Sequence, residues 1–179
     1  MQLDIAAYGW HDAHWATMYP PGMPDEWCLD FFTNEFMAVV IPATVLAQQD
    51  NTTIQAWFDD APARFRFYWE LADRAGIERL LDWLQAHGRP AVLAGYLWRG
   101  EEDAEALLER LDAQLPGNHG ERAVAVLAIE ATPDLKAVRM QIQQWQQQAA
   151  EQTLIMVYPH PGAPASLQQL QTLGMLLNG

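Results

Sequence analysis

The sequence predicts an α/β fold of six strand–helix units around a largely parallel sheet. Short apolar or β-branched runs alternate with helical patterns from one end of the chain to the other. The runs are near-continuously apolar rather than alternating, as in strands buried on both faces. No linker interrupts residues 1–179, so a single α/β domain is expected. The first strand is Leu3–Tyr8. A helix over Asp25–Phe36 follows Pro24, has acids in its first turn, and sets Trp27, Phe31 and Phe32 at helical spacing. Ala38–Leu46 reads as the second strand, with pairing that must fail near Pro42 because proline has no amide to donate. Thr52–Ala61 carries Ile54, Trp57 and Phe58, and Phe65–Leu71 is the third strand. Gly76–His87 aligns Ile77, Leu80, Leu81 and Leu84 on one stripe and closes at Gly88. The fourth strand, Ala91–Trp98, leads to a helix over Glu102–Leu115 that stops at Pro116-Gly117. Ala123–Ile129 and Thr153–Tyr158 are the last two strands. Between them, Leu135–Ala150 repeats Leu135, Val138, Ile142, Trp145 and Ala149 at spacings of three and four, with glutamines on its wet face. Ser166–Leu177 closes the chain with Ser166 as N-cap.

Composition excludes several functions. The net charge of −13, from 23 acids against 10 bases, repels phosphate backbones and anionic membranes, so no nucleic-acid or membrane partner is expected. No apolar run approaches the roughly 18 residues of a membrane span. The N-terminus carries acids and no basic leader, so a cytoplasmic protein is expected. One cysteine, Cys28, forbids an intramolecular disulfide and reads as a buried small hydrophobe with no histidine placed to activate it.

Tyr19-Pro20-Pro21-Gly22-Met23-Pro24, then Trp27, Leu29, Phe31, Phe32 and Phe36, then Val39, Ile41, Thr44, Trp57, Pro62 and Phe65-Arg66-Phe67 form an ordered set. With Gly9-Trp10, this set resembles the opening third of the YecE-like family, a domain of unknown function numbered seventy-two. Ile155–Tyr158, Pro161-Gly162 and Leu170 to Leu177 resemble that family's last strand and helix. The resemblance implies a TIM-barrel-like fold shortened from eight βα units to six, with an open doubly wound parallel sheet as the alternative. It implies a fold more than a reaction. Where the family carries a glutamate and an asparagine on its second strand, this chain has Val40 and Pro42. The family's third-strand lysine is replaced around Trp69-Glu70, and its fifth-strand glutamate–arginine pair keeps only Glu130. The scaffold aromatics and prolines remain while the polar constellation is depleted.

In such folds function gathers where strands end and helices begin. Those positions are Trp10, His11, Asp12, Thr44, Glu70, Trp98, Arg99, Glu130, Thr132 and His160. Glu70 and Glu130, with His11, are the candidates for acid–base work in a hydrolase or lyase, weighed against solvated loop residues. His11 and His14 flank Asp12 and Ala13, a short pair that also arises by chance, and no metal is expected. No glycine-rich phosphate loop or Walker motif is present, and no cofactor is expected. Trp10, Tyr19, Trp69, Trp98, Tyr158 and His160 are the candidates for an aromatic ligand cleft, or for a plug in the mouth of a shrunken barrel. The depleted polar set favours a non-catalytic protein that acts through an interface or a small-molecule cleft. A homodimer is expected, because an unclosed six-stranded sheet has two edges and the helix through Met140 and Trp145 has a broad apolar stripe.

Overall fold

The computed structural model describes residues 2–11, 15–101, 103–119, 124–128, 133–148, 153–157 and 164–178. Six strands, β1 (Gln2–Tyr8), β2 (Ala38–Ile41), β3 (Arg66–Leu71), β4 (Leu93–Trp98), β5 (Val124–Ala128) and β6 (Thr153–Val157), form one sheet. Every pairing is parallel, and the order is β4-β3-β2-β1-β6-β5. The helices are α1 (Cys28–Glu35), α2 (Ala43–Gln48), α3 (Asn51–Asp60), α4 (Arg74–His87), α5 (Glu105–Asp112), α6 (Leu135–Gln148) and α7 (Pro164–Asn178). This is the parallel α/β architecture expected from the alternation. No described helix is long and apolar enough to cross a membrane.

Four local expectations are corrected. The second strand ends at Ile41, not Leu46: Pro42 sits in extended geometry as the N-cap of α2, and its carbonyl accepts from Val45 and Leu46 at 3.0 Å. The helix expected from Asp25 begins as a 3₁₀ turn over Asp25–Trp27, which turns Trp27 outward to 60% exposure. The helix expected from Glu102 is α5 and starts at Glu105. Ser166 lies inside the first turn of α7, which begins at Pro164. Side-chain caps do the starting elsewhere. Asp50 Oδ1 accepts from Thr53 N at 2.7 Å and Asp73 Oδ1 from Gly76 N at 2.8 Å, each satisfying an amide that its helix leaves free. The Thr53 amide holds Asp50's carboxyl below the usual carboxylate range.

Strand alternation divides the interior in two. Leu3, Ile5, Ala7, Val39, Ile41, Phe67, Trp69, Leu71 and Leu93 pack against the helices in the larger cluster, where Phe32, Phe65, Phe67 and Trp15 meet edge to face. Each fully buried Phe or Leu there contributes roughly 1.5–3 kcal/mol. Ala6, Ala38, Val40, Tyr68, Leu97 and Val124, flanked by Tyr8, Ala94 and Val126, form the second cluster on the opposite face. Every member of that cluster is a strand residue, yet its core is nearly solvent-free. Beside β4, Tyr96 N donates to Pro116 O at 3.0 Å, Gly117 forms a parallel bridge with Tyr96, and Asn118 grips the backbone of Trp98 at both N and O. Val124 N then donates to Gly117 O at 3.1 Å as the chain enters β5.

Candidate functional site

The polar centre of the molecule lies beyond the C-terminal ends of β1 to β4, and Glu70 is its anchor. Glu70 is the fifth residue of β3, two on from Tyr68, so alternation carries it to the strand-only face. Tyr8, the last residue of β1, reaches the same place and donates to Glu70 Oε2 at 2.6 Å. Because Pro42 starts α2 there, Ala43 N also donates to Oε2, at 3.0 Å. Arg99, tied to the end of β3 by its amide to Leu71 O, sets its Nε 3.1 Å from Glu70 Oε1. A carboxylate only 6% exposed is tolerable because three donors replace its water. Burial first, then the bond to Glu70 and its charge, push the Tyr8 phenol well above its ordinary value, with Arg99 opposing. Tyr8 therefore donates to Glu70, and both carboxylate oxygens of Glu70 face donors. Deeper in the same face, Tyr68 donates to Asp4 Oδ2 at 2.5 Å, and its phenol is raised by burial and by Asp4.

Beside this anchor opens a cleft of about 480 Å³ between the ends of β1 and β2 and helices α1 to α3. Its apolar wall is Trp10, Trp57, Leu29, Val45 and Pro42, with Trp10 and Trp57 edge to face at 4.9 Å. Its polar wall sets four acids, Asp25, Glu26, Asp30 and Asp60, beside Gln48, Gln49 and Thr53. His11 is the basic-capable residue in that lining, with Nε2 3.6 Å from Asp25 Oδ1.

The structure separates the residues that the sequence nominates. His11 lines the large cleft, whereas Glu70 lines a different pocket of about 190 Å³ with Trp69, Arg79 and residues of α2. Glu70 is buried and paired, not a solvated loop residue. Of the aromatic set, Trp10 is in the large cleft, and Tyr19 supports it by donating its hydroxyl to Trp10 O while packing on Phe31. Trp69 faces the helices, sealed against Phe58 and Trp83, and lines the smaller pocket. Trp98 packs at the margin of the large core, its backbone held by Asn118. Glu130, Tyr158, His160, Asp12 and His14 lie outside the described residues. Cys28 is buried as expected, and burial with the nearby Asp25 raises its thiol. His11, Asp25 and Cys28 converge so that one donor atom from each lies within 4.8 Å of the others.

Sequence reasoning missed the roles of Tyr8, Arg99, Asp25, Trp57 and Asp60. Strand alternation sets the face of Tyr8 and of Glu70, but only the register through β2 brings them together. Nothing in the spacing of His11 and Asp25 announces that they meet.

The family model for a protein of unknown function, DUF72, matches residues 5–120. The crystal structure of a DUF72 family protein from Thermotoga maritima superposes with a TM-score of 0.67 at 11% identity, covering 100% of each chain. Two crystal structures of a DUF72 family protein from Enterococcus faecalis give TM-scores of 0.63 and 0.60, at 9% and 11% identity. They cover 97% and 99% of this chain and 96% and 98% of theirs. Likeness at such identity establishes a shared fold alone. No curated protein matches the chain.

Proposed function

The chain belongs to the DUF72 family, also called YecE-like, and on that premise we propose that it is a non-catalytic binding protein whose aromatic, acidic cleft takes a small organic cation. The observation that carries this reading is the lining of the 480 Å³ cleft, where the indoles of Trp10 and Trp57 share a space with Asp25, Glu26, Asp30 and Asp60. Aromatic faces and carboxylates both attract an ammonium group, and the apolar wall suits a hydrocarbon body. A net charge of −13 adds a long-range field of the same sign. Against the hydrolase or lyase alternative stands the state of Glu70, whose two oxygens are taken up by Tyr8, Ala43 and Arg99.

The fold reading goes with it. We infer a small barrel related to an eight-unit ancestor. Successive strands step around the sheet in one direction, from β5 through β6, β1, β2 and β3 to β4. The bonds through Pro116, Gly117 and Val124 link the two ends of that series. Right-handed crossovers of one direction put all helices on one face, which fits an opposite cluster whose described members are all strand residues. Small side chains such as Ala6, Ala38 and Val40 suit a narrow lumen.

Tryptophan fluorescence tests the function. A series of arylalkylamines is titrated beside neutral alcohols of the same skeleton. The amines are expected to bind at least about tenfold more tightly, a difference of ~1.4 kcal/mol. Asp30→Asn with Asp60→Asn should remove that preference. Equal binding of amines and alcohols, or none of either, defeats the reading.

A further inference from the structure

We propose that His11, Asp25 and Cys28 form a binding site for one divalent transition-metal ion of the zinc type. The three come from two segments of the chain. His11 lies in the segment after β1, Asp25 opens the 3₁₀ turn, and Cys28 is the first residue of α1. Asp25 and Cys28 are three residues apart in a continuous helical turn, so they project to one side, and His11 approaches from across the turn. One donor atom from each lies within 4.8 Å of the other two.

The dimensions suit a tetrahedral ion. Zinc bonds to sulfur, nitrogen and oxygen of about 2.0–2.3 Å place neighbouring donors roughly 3.3–3.7 Å apart. His11 Nε2 and Asp25 Oδ1 already stand at 3.6 Å. The remaining closure is a side-chain rotation. Both His11 and Asp25 are solvent-exposed and free to make it, while Cys28 is packed in the core and fixed. The donor set decides the class of metal. One sulfur, one imidazole nitrogen and one carboxylate oxygen favour zinc or cobalt over calcium or magnesium, which seek oxygen alone. Among the described residues, the thiol donates a long hydrogen bond of 3.8 Å to Pro24 O. Three protein ligands leave a fourth position for water or a ligand atom, and His11 and Asp25 both line the large cleft. Among the described residues this is the one group of three or more such side chains that converges.

The site shares Asp25 and His11 with the large cleft but uses none of Trp57, Asp30 or Asp60, so variants at those three separate the two readings. It also departs from the sequence expectation of no metal, which weighed His11 with His14 and not with Asp25 and Cys28.

The test uses full-length, tag-free protein and cobalt(II) alone as the probe, followed by displacement with zinc(II). The expected result is one cobalt per chain, with intense visible bands of a tetrahedral ion and a sulfur-to-cobalt charge-transfer band. Cys28→Ser should abolish the charge-transfer band, and His11→Gln and Asp25→Asn should each weaken zinc at least about tenfold. Trp57→Ala, or the Asp30→Asn and Asp60→Asn pair, should leave the cobalt spectrum unchanged. Because His11 and Asp25 are exposed, their variants report on binding even if Cys28→Ser folds poorly. Absence of the charge-transfer band in the wild-type protein overturns the site. So does equal zinc affinity in wild type, His11→Gln and Asp25→Asn, which would assign the metal to the acidic surface at large.

Discussion

Glu70 shows how a single side chain can be read correctly for position and wrongly for state. Its place near the end of a strand marks it as a rim residue, but its three donors come from β1, the start of α2 and the residue after β4. No local pattern encodes that convergence. Glu70→Gln keeps the shape but turns an amide NH₂ toward one of the donors and leaves Arg99 without its carboxylate. A loss of about 1.5–3 kcal/mol is expected, read as a lower urea midpoint with unchanged slope. The tyrosines predict an alkaline limb. Tyr8, Tyr68 and Tyr96 all have phenols raised above the ordinary 10.0 by burial and by carboxylate neighbours. Below about pH 10 folded and unfolded chains both keep these protons, so stability is level. Above it the unfolded chain releases them first, and stability falls as pH rises. Urea midpoints from pH 8 upward, with tyrosinate absorbance, should show the fall, and Tyr8→Phe should make it shallower. An unchanged slope would contradict the buried Tyr8–Glu70 bond.

At the scale of elements, periodicity found all six strands, because each is a continuous apolar run, and β2 and β3 are buried on both faces. Proline chemistry also located the end of β2, since Pro42 cannot extend a ladder. What periodicity missed is that the apolar residues Val45 and Leu46 belong to a helix, a distinction that short apolar runs do not carry. The segment 116–118 escaped notice for another reason: it pairs with β4 through backbone atoms, which leave no hydrophobic signature. Gly117 is specified there by space. A Cβ on it would stand 2.1 Å from the Tyr96 ring, whose hydroxyl is held by Asp112. Gly117→Ala should therefore destabilise the fold by roughly 1–3 kcal/mol, seen as a lowered thermal midpoint. Hydrogen exchange should show the Tyr96 amide losing protection first.

For the whole molecule, the expected homodimer remains our proposal, and its expected face is now specific. The helices α6 and α7 are neighbours and expose Met140, Met175 and Leu176, the last at 75%. Trp145, by contrast, is half-buried against the core, so it is a poorer choice of probe. Light scattering behind a sizing column should give twice 20.2 kDa, falling to 20.2 kDa for Leu176→Glu. A mass of 20.2 kDa for the unaltered chain at all concentrations would refute the dimer.

The sequence by itself determined the parallel α/β class, the family likeness and the acidic character, because these rest on local periodicity, ordered motifs and summed charge. Tertiary structure alone decided which polar groups meet. Glu70 with Tyr8 and Arg99, and His11 with Asp25 and Cys28, are joined across the chain by strand register and helix placement. Such contacts depend on where elements pack, and packing is a property of the folded whole rather than of any window of residues.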